Sequence, residues 1–249
     1  MSPVSLPKAL WDNTLNQLID RLNLSEITGD DGGHYMDLIS QLPMVQGEVG
    51  NVRLFKGDGI YQLVTCSLVV PPIHLDSHML FVFSDSDCAV PHFTLDSVKA
   101  GEHNAFHLDL IPRVDLGSNY TYMTEVFGPL TDLCEEARAI DGMEKAHISP
   151  IQYAVMSPWM LVQRASDEAF EKMDKYVDGY LNHWLSIVEK GISPEALEGH
   201  SADALIARDA RNKSMIFDPA VDPVWGRIEG MIGTDAVSKL RRLLKSTSA

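Results

Sequence analysis

The sequence has few basic residues and no long apolar run. Its 249 residues contain 20 lysines and arginines against 35 aspartates and glutamates, a formal net charge of −15. An acidic surface repels nucleic acid and anionic membranes, so we expect neither as a partner. No apolar run approaches the roughly 18 residues that a membrane-spanning helix needs. The first residues also lack the basic start and apolar stretch that are typical of a secretory signal.

Cysteine is also scarce. The three cysteines, Cys66, Cys88 and Cys134, are widely spaced and form no Cys-x-x-Cys pair. Their odd number and spacing predict neither a disulfide framework nor a zinc site, and they favour the reducing cytoplasm as the compartment. Gly-x-Gly-x-x-Gly, Walker, Gly-x-Ser-x-Gly and His-Glu-x-x-His motifs are absent as well. The sequence therefore gives no support for a bound nucleotide cofactor or a serine-hydrolase site.

The first half of the chain is dominated by strand patterns. Apolar residues at helical spacing predict a helix over residues 7–22, and residues 35–42 are compatible with a second, short helix. From residue 44 to residue 111 the pattern predicts five or six strands in succession. The segment Lys-Gly-Asp-Gly at 56–59 is typical of a hairpin turn between two of them. Short turns between consecutive strands imply an antiparallel sheet.

The second half is mainly helical. Strands are expected near residues 153–156 and 159–164, and Ser166 is expected to cap a long helix that runs to Lys190. Shorter helices follow towards the C-terminus. Because strands come first and helices later, the fold class predicted is α+β, an α/β/α sandwich with a central antiparallel sheet covered by helices on both faces. With no linker in sight, we expect one domain over residues 1–249.

Two neighbouring strands between Ala89 and Pro112 carry most of the polar candidates for a site. Side chains alternate between the two faces of a strand. The polar residues that this alternation places on one face are His92, Thr94 and Asp96 on the first strand and His107 and Asp109 on the second. Titratable groups on a rigid sheet face suit proton transfer. The simpler interpretation, a face open to water, stays possible on the pattern alone.

Asp96 is the strongest single candidate. It ends an otherwise apolar strand, where a buried carboxyl can act as a proton donor, although it can equally cap the following turn. His92, Thr94, His107 and Asp109 can be substrate contacts, or His107 and Asp109 can form an ion pair that stabilises the sheet. His74, Asp76 and His78 alternate along one segment, which is compatible with a metal site or with a proton relay beside Asp96. A structural or solvated role and contact with substrate, as by His74, are the alternatives. One such run is weak evidence for a metal, because ligands usually converge from several elements.

Two acidic residues lie in a loop between C-terminal helices. Asp218 and Asp222 belong to the segment Phe-Asp-Pro-Ala-Val-Asp-Pro, whose prolines restrict the loop. An acidic side chain held there can reach over a pocket. Capping and turn formation by Asp-Pro are the alternative explanation.

Three segments resemble a known superfamily. VPHFTLD at 90–96 with FHLDLIPRVDL at 106–116 is similar to a strand pair of the red chlorophyll catabolite reductases and the related ferredoxin-dependent bilin reductases. HISPIQYAVMSPWMLVQ at 147–163 resembles their Ser-Pro…Ser-Pro segment. ARDARNKSMIFDPAVDPVWGRIEGMIG at 207–233 resembles their C-terminal loop with its Asp-Pro-Ala. The likeness runs in matching order from about Met79 to Leu244.

The resemblance implies a function and assigns roles. It implies an open-chain tetrapyrrole bound between the sheet and the C-terminal helices, no bound cofactor, ferredoxin as external electron donor, and a homodimer. Asp96 falls on the position of the family's acidic proton donor, and Asp218 on the acidic position of its C-terminal loop. His78 or His74 would correspond to a histidine that bilin reductases use on the neighbouring strand.

The charge departs from what that family requires. Proteins that dock acidic ferredoxin need a basic rim, and here the basic residues that offer one are Arg208, Arg211, Lys213, Arg227, Lys239, Arg241, Arg242 and Lys245. Two alternatives to a reductase therefore stay open. One is a cofactor-independent acid–base lyase acting on a bulky aromatic compound, for example formaldehyde elimination from a lignin-derived aromatic dimer. The other is a non-catalytic carrier of a planar ligand.

Overall fold

The computed structural model describes residues 4–248 and arranges them around one antiparallel sheet. The nine strands of that part of the chain are β1 (Ser25–Ile27), β2 (Met36–Ile39), β3 (Glu48–Gly57), β4 (Ile60–Val70), β5 (Leu75–Phe83), β6 (His92–Ala100), β7 (His103–Ile111), β8 (Met143–Lys145) and β9 (Leu161–Ala165). Their order across the sheet is β1-β3-β4-β5-β6-β7-β9-β8, and β2 pairs with the other end of β3. Consecutive long strands are thus neighbours, because short turns join them.

Helices cover both faces of the sheet. Within residues 4–248 they are α1 (Leu6–Arg21), α2 (Tyr120–Val126), α3 (Thr131–Arg138), α4 (Pro150–Tyr153), α5 (Asp167–Phe170), α6 (Met173–Lys190), α7 (Ala202–Ile216), α8 (Val224–Ile232) and α9 (Thr234–Lys245). The α/β/α sandwich predicted from the sequence is confirmed. In this range no helix combines the length and apolarity needed to cross a bilayer.

One face of the sheet packs against the first group of helices. Leu80, Phe93 and Leu108 point to this side and are fully buried against α1, α2, α3 and α6. Trp184 on α6 is also fully buried, and its ring lies 5.8 Å from that of Phe93. Burial of one such large apolar side chain stabilises the fold by about 1.5–3 kcal/mol, so this core holds strands β5 to β7 as a rigid support.

The opposite face packs against α7, α8 and α9. Phe81 and Phe83 on β5 meet Phe217, which follows α7, with ring centroids 5.4 and 6.1 Å apart. Trp225 and Ile228 on α8 complete this second core. It does not fill the whole space between the sheet and α8, and the remaining space is the cavity described below.

The hairpin predicted at residues 56–59 is confirmed. Strands β3 and β4 pair up to Gly57 and Ile60, and Gly59 adopts a φ of 73° between them. Glycine suits this position because it has no Cβ to clash in the left-handed region.

The prediction of a short helix at 35–42 is wrong. Residues 36–39 form β2 instead, with Leu38 fully buried and paired with Gly50 of β3. The residues fit either periodicity over so short a stretch, and pairing with an existing strand decides between them.

The second half contains two further differences. A strand near 153–156 is wrong: residues 150–153 form a helical turn whose start is a capping box between Ser149 and Gln152. The helix that Ser166 caps is α5, which ends at Phe170, and α6 begins at Met173 and reaches Lys190 as predicted. The strand near 159–164 is confirmed as β9.

Candidate active site

A cavity of about 650 Å³ lies between the sheet and α8. Most of its lining is apolar, including Met79, Phe81, Met156, Ile216, Trp225 and Ile228. This size and character are typical of sites for small organic ligands. The polar groups on its lining are few, so each of them bears on what the cavity can bind or do.

Asp96 and His107 form a cross-strand pair on the sheet side of the cavity. They are direct Cα partners of β6 and β7, and the carboxyl Oδ2 of Asp96 lies 3.7 Å from Nδ1 of His107. The side chains are 28% and 16% exposed. The second oxygen of Asp96, Oδ1, and the second ring nitrogen of His107, Nε2, are buried and have no hydrogen-bond partner among residues 4–248. Buried polar atoms are normally paired, so these two are available to a bound molecule.

His107 is surrounded by acidic groups. Burial alone would lower the pKa of His107, but the nearby charges of Asp96, Asp109 and Asp222 outweigh it and raise that pKa. The acidic neighbours therefore favour the protonated ring more than water does. A carboxyl and an imidazole that can share a proton thus lie together on the lining of a mostly apolar cavity, an arrangement suited to general acid catalysis.

Asp109 faces the same side of the sheet but does not line the cavity. Its two carboxyl oxygens accept hydrogen bonds from the backbone N–H and the hydroxyl of Ser157, and it is fully buried. Burial raises the pKa of Asp109 to about 6, against the opposing effect of His107 and these hydrogen bonds. Its expected substrate contact is corrected because the segment after α4 covers it. The ion pair of His107 is formed with Asp96, not with Asp109.

In the C-terminal loop, Asp222 lines the cavity and Asp218 does not. One oxygen of Asp218 accepts a hydrogen bond from the N–H of Ala220, so this residue stabilises the turn. Asp222 lies on the helix side of the cavity, where burial and then the charge of Asp96 raise its pKa. Asp222 likewise accepts a hydrogen bond from the N–H two residues on, that of Val224, so the turn does not distinguish the two residues. The expected position of the loop carboxyl is corrected from Asp218 to Asp222 because only Asp222 is on the lining.

Neither His78 nor His74 is on the lining of the cavity. His78 is 1% exposed on the opposite face of the sheet, with its ring nitrogens 3.0 Å from the hydroxyl of Ser67 and 2.6 Å from Asp76. Alternation along β5 gives the cavity Ser77 and Met79 instead. The expectation that His78 assists Asp96 is corrected, because the sheet separates the two side chains. His74 follows a 3-10 turn in a left-handed conformation, with φ of 53°, and both of its neighbours in the chain line the cavity, so its assistance to Asp96 stays a prediction. No group of three metal-binding side chains is found within residues 4–248.

His92 lies on the predicted face of β6, but it is buried between the sheet and α7. Its Nδ1 accepts a hydrogen bond from the N–H of Ser84, and its Nε2 lies 2.7 Å from Asp209. Burial, and then the charge of Arg113, lowers the pKa of His92 to about 3, so the ring is neutral and donates to Asp209. Its expected contact with substrate is corrected because α7 covers it. Thr94, two residues on, does line the cavity, and its hydroxyl has no partner in the described part of the chain.

Sequence reasoning missed several residues that line the cavity. Arg164 of β9 and Arg227 of α8 lie on the lining, as do Trp225 and Cys66. Alternation in the predicted strand 159–164 indicates which of its residues share a face. Which face is turned to the cavity cannot be predicted before the neighbouring strand is known. Burial raises the pKa of Cys66 to about 12, so its thiol is not an effective nucleophile.

No protein-family model and no curated protein matches this chain. Among solved structures it is similar to phytochromobilin synthase from tomato in complex with biliverdin, with a TM-score of 0.72 and 16% sequence identity. The match covers 96% of this chain and 82% of the tomato chain.

This chain has the bilin reductase fold. The tomato synthase with its bound biliverdin has this fold, and the three sequence segments resemble the bilin reductases. At 16% identity the similarity concerns the path of the backbone, and the chemistry has to be argued from the side chains. In the bilin reductase fold of this chain, the segments that carry the resemblance form β6, β7, β9 and the helix side of the cavity.

Proposed function

We propose that this protein is a reductase of open-chain tetrapyrroles in which the Asp96–His107 pair supplies protons to a planar conjugated substrate. The observation that carries the proposal is the pair itself, with one unpartnered oxygen and one unpartnered nitrogen among the described residues, on the lining of a mostly apolar cavity of about 650 Å³. The bilin reductase fold supports the substrate class, because the tomato structure of that fold contains biliverdin.

The chemistry divides between the protein and an external donor. Reducing one double bond of a bilin consumes two electrons and two protons. Electrons come one at a time from ferredoxin, and Asp96 delivers protons to the substrate. His107 positions the carboxyl and returns a proton to it, since the acidic groups around the ring raise its pKa. Asp222 provides a second carboxyl on the helix side of the cavity.

The test is a spectral assay with biliverdin. Titration of the protein should shift the visible absorbance of biliverdin as it binds. Anaerobic addition of reduced ferredoxin should then convert the bound pigment to products with a shorter conjugated system and a blue-shifted spectrum. If biliverdin neither binds nor changes under these conditions, the proposal is refuted.

A cofactor-independent acid–base lyase is a second candidate, favoured by the charges at the surface. Of the basic residues that could form a rim for acidic ferredoxin, Lys213 is fully buried and paired with Asp209. The rim is thus weaker than the sequence suggests. The same carboxyl and imidazole can move protons in an elimination that needs no electrons. Turnover of an aromatic dimer with release of formaldehyde, in the absence of any reductant, would establish this alternative.

A further inference from the structure

The four tryptophans of this protein differ in how their indole N–H groups are satisfied. Trp11 donates to the carbonyl of Met79 at 3.2 Å, Trp159 to the hydroxyl of Thr131 at 3.0 Å, and Trp184 to the carbonyl of Pro91 at 2.8 Å. The Nε1 of Trp225 is buried and has no hydrogen-bond partner within residues 4–248. A buried indole N–H usually finds a partner, so this exception calls for a physical reason.

The position of Trp225 supplies that reason. The residue lies in the first turn of α8, is 2% exposed, and lines the cavity opposite the sheet. Its ring packs edge-on against Phe217, with centroids 5.8 Å apart, so neighbouring side chains hold it in place. Neither solvent nor a described protein group satisfies its N–H. The remaining source of an acceptor is a molecule in the cavity.

The donor limits the chemistry of that molecule. An indole N–H donates and cannot accept, so it selects an acceptor such as a carbonyl, hydroxyl or ether oxygen. On the sheet side of the cavity the hydroxyl of Thr94 is also unpartnered in the described chain. A molecule that lies between β6 and α8 is therefore offered hydrogen bonds from both sides, in addition to those of the Asp96–His107 pair.

We propose that Trp225 is a ligand-positioning residue whose N–H donates to an oxygen atom of the substrate. This rests on the proposed function and adds a requirement to it: the planar substrate carries an oxygen acceptor, such as the lactam carbonyl of an open-chain tetrapyrrole, on the part that faces α8. That contact fixes how the substrate is oriented relative to Asp96.

The test compares Trp225→Phe with a matched control, Trp184→Phe. Both changes delete part of a buried ring, but only the control also leaves a buried carbonyl, that of Pro91, without its donor, so Trp225→Phe should lower the ligand-free melting temperature less than Trp184→Phe. Affinity for an oxygen-bearing ligand should fall about tenfold, the effect of losing one buried hydrogen bond. The control removes a paired donor in the opposite core, so it should lower the ligand-free melting temperature and leave affinity unchanged. Thr94→Val is a second variant, with the same expected signs as Trp225→Phe.

Two probes separate the failure of this inference from failure of the proposed function. Binding of biliverdin and of a guaiacyl-type aromatic dimer is measured for each variant by absorbance or fluorescence titration. If the wild type binds neither probe, the proposed function and this inference are both refuted. If a probe binds the wild type and Trp225→Phe equally well, only the inference is refuted. A drop in ligand-free melting temperature for Trp225→Phe matching that of the control would also refute it.

Discussion

The Asp96–His107 pair places a carboxyl and an imidazole on adjacent strands, where backbone hydrogen bonds fix their separation. The 3.7 Å between the two charged groups follows from the register of β6 and β7, because the residues are direct Cα partners. A site built on strands is held more precisely than one built on loops. The pair can therefore pass protons to a bound molecule without first ordering a flexible segment.

Removing the carboxyl of Asp96 should abolish most of the activity. We expect Asp96→Asn to lower turnover by at least about 100-fold, the usual contribution of a general acid. Binding of the substrate should change much less, since the amide retains the shape. Steady-state turnover and ligand titration measure the two effects.

Asp218→Asn is the matched control, since Asp218 stabilises a turn and does not line the cavity. Its turnover should stay close to that of the wild type. If Asp218→Asn is as damaging as Asp96→Asn, the assignment of the loop carboxyl to Asp222 is incorrect.

His107 should make stability depend on pH in a definite direction. Its pKa is raised in the folded protein, so the protonated form contributes stability that is fully present below the ordinary histidine value of about 6.5. That contribution is lost as the pH rises through the raised value. The free energy of unfolding of the wild type minus that of His107→Gln should therefore decrease from pH 6 to pH 9, by at most about 1.4 kcal/mol per pH unit. Urea unfolding at each pH measures it.

The same comparison in an Asp96→Asn background is the control. The carboxylate of Asp96 is the leading group that raises the pKa of His107, so the slope should shrink there. If the free energy of unfolding of the wild type minus that of His107→Gln increased with pH instead, burial rather than the acidic neighbours would dominate the pKa of His107.

Much of this site was predictable from alternation along two strands. Thr94, Asp96 and His107 were expected on one face, and they line one cavity. The burial of His92 was not predictable, because its partner Asp209 is 117 residues away in the chain. Pairs at such separation follow from tertiary packing and leave no periodic signal in one sequence.

At the scale of elements, buried polar groups connect α7 to the sheet. Asp209 on α7 lies 2.7 Å from His92 of β6 and 3.6 Å from Arg113, which follows β7, while Lys213, one turn further along α7 itself, lies 3.0 Å from it. Burial opposes ionisation of Asp209, but the hydrogen bond from His92 and the two cationic neighbours lower its pKa to about 2. Because the end of α7 and the residue after it, Ile216 and Phe217, line the cavity, these ion pairs also hold the helix side of the site.

Lys213→Met should therefore weaken both the fold and the site. Removing one partner of a buried ion pair leaves an uncompensated charge, and the expected loss is about 3 kcal/mol in the free energy of unfolding. The affinity for ligand should fall as well, since α7 is less firmly held. Denaturant unfolding and ligand titration measure these effects.

Two comparisons test the cause. The double variant Asp209→Asn/Lys213→Met should recover part of the lost stability, because the isolated charge is gone. Lys175→Met, which removes an exposed ion pair with Glu136, should leave stability close to the wild type. Equal losses for Lys175→Met and Lys213→Met would contradict a role for burial.

Elements with strong periodicity were predicted well, and short ones were not. The α6 helix has its apolar residues at helical spacing over 18 residues, and its C-terminal end at Lys190 was placed correctly. The segments at 35–42 and 153–156 were misassigned because a few residues fit either period. In these two segments the structure is decided by pairing with a neighbouring strand or by a capping box, and the apolar periodicity of the sequence reveals neither.

At the scale of the whole molecule, the charge of −15 governs encounters with other macromolecules. An acidic electron donor such as ferredoxin must approach a body of the same sign, and the burial of Lys213 removes one of the cations that would attract it. Long-range repulsion slows association and is screened by salt.

We therefore expect the rate constant for reaction with reduced ferredoxin to rise with ionic strength. Screening shortens the range of repulsion to about 8 Å at physiological salt, so the increase should be clearest below that concentration. Stopped-flow mixing at several salt concentrations measures it, and a small uncharged reductant serves as control because its rate should hardly respond. A rate that falls with salt would instead show that a local basic patch dominates the encounter.

The order of the layers has a consequence for how this protein is made. The strands on the sheet side of the cavity, β4 to β7 and β9, lie between residues 60 and 165, while α7, α8 and α9 begin only at residue 202. During synthesis the apolar face of the sheet that these helices cover therefore stays exposed until the C-terminal part of the chain has left the ribosome. Chaperones that bind nascent chains should therefore bind this one before α7 emerges. A chain truncated before α7 should aggregate rather than form a smaller active protein.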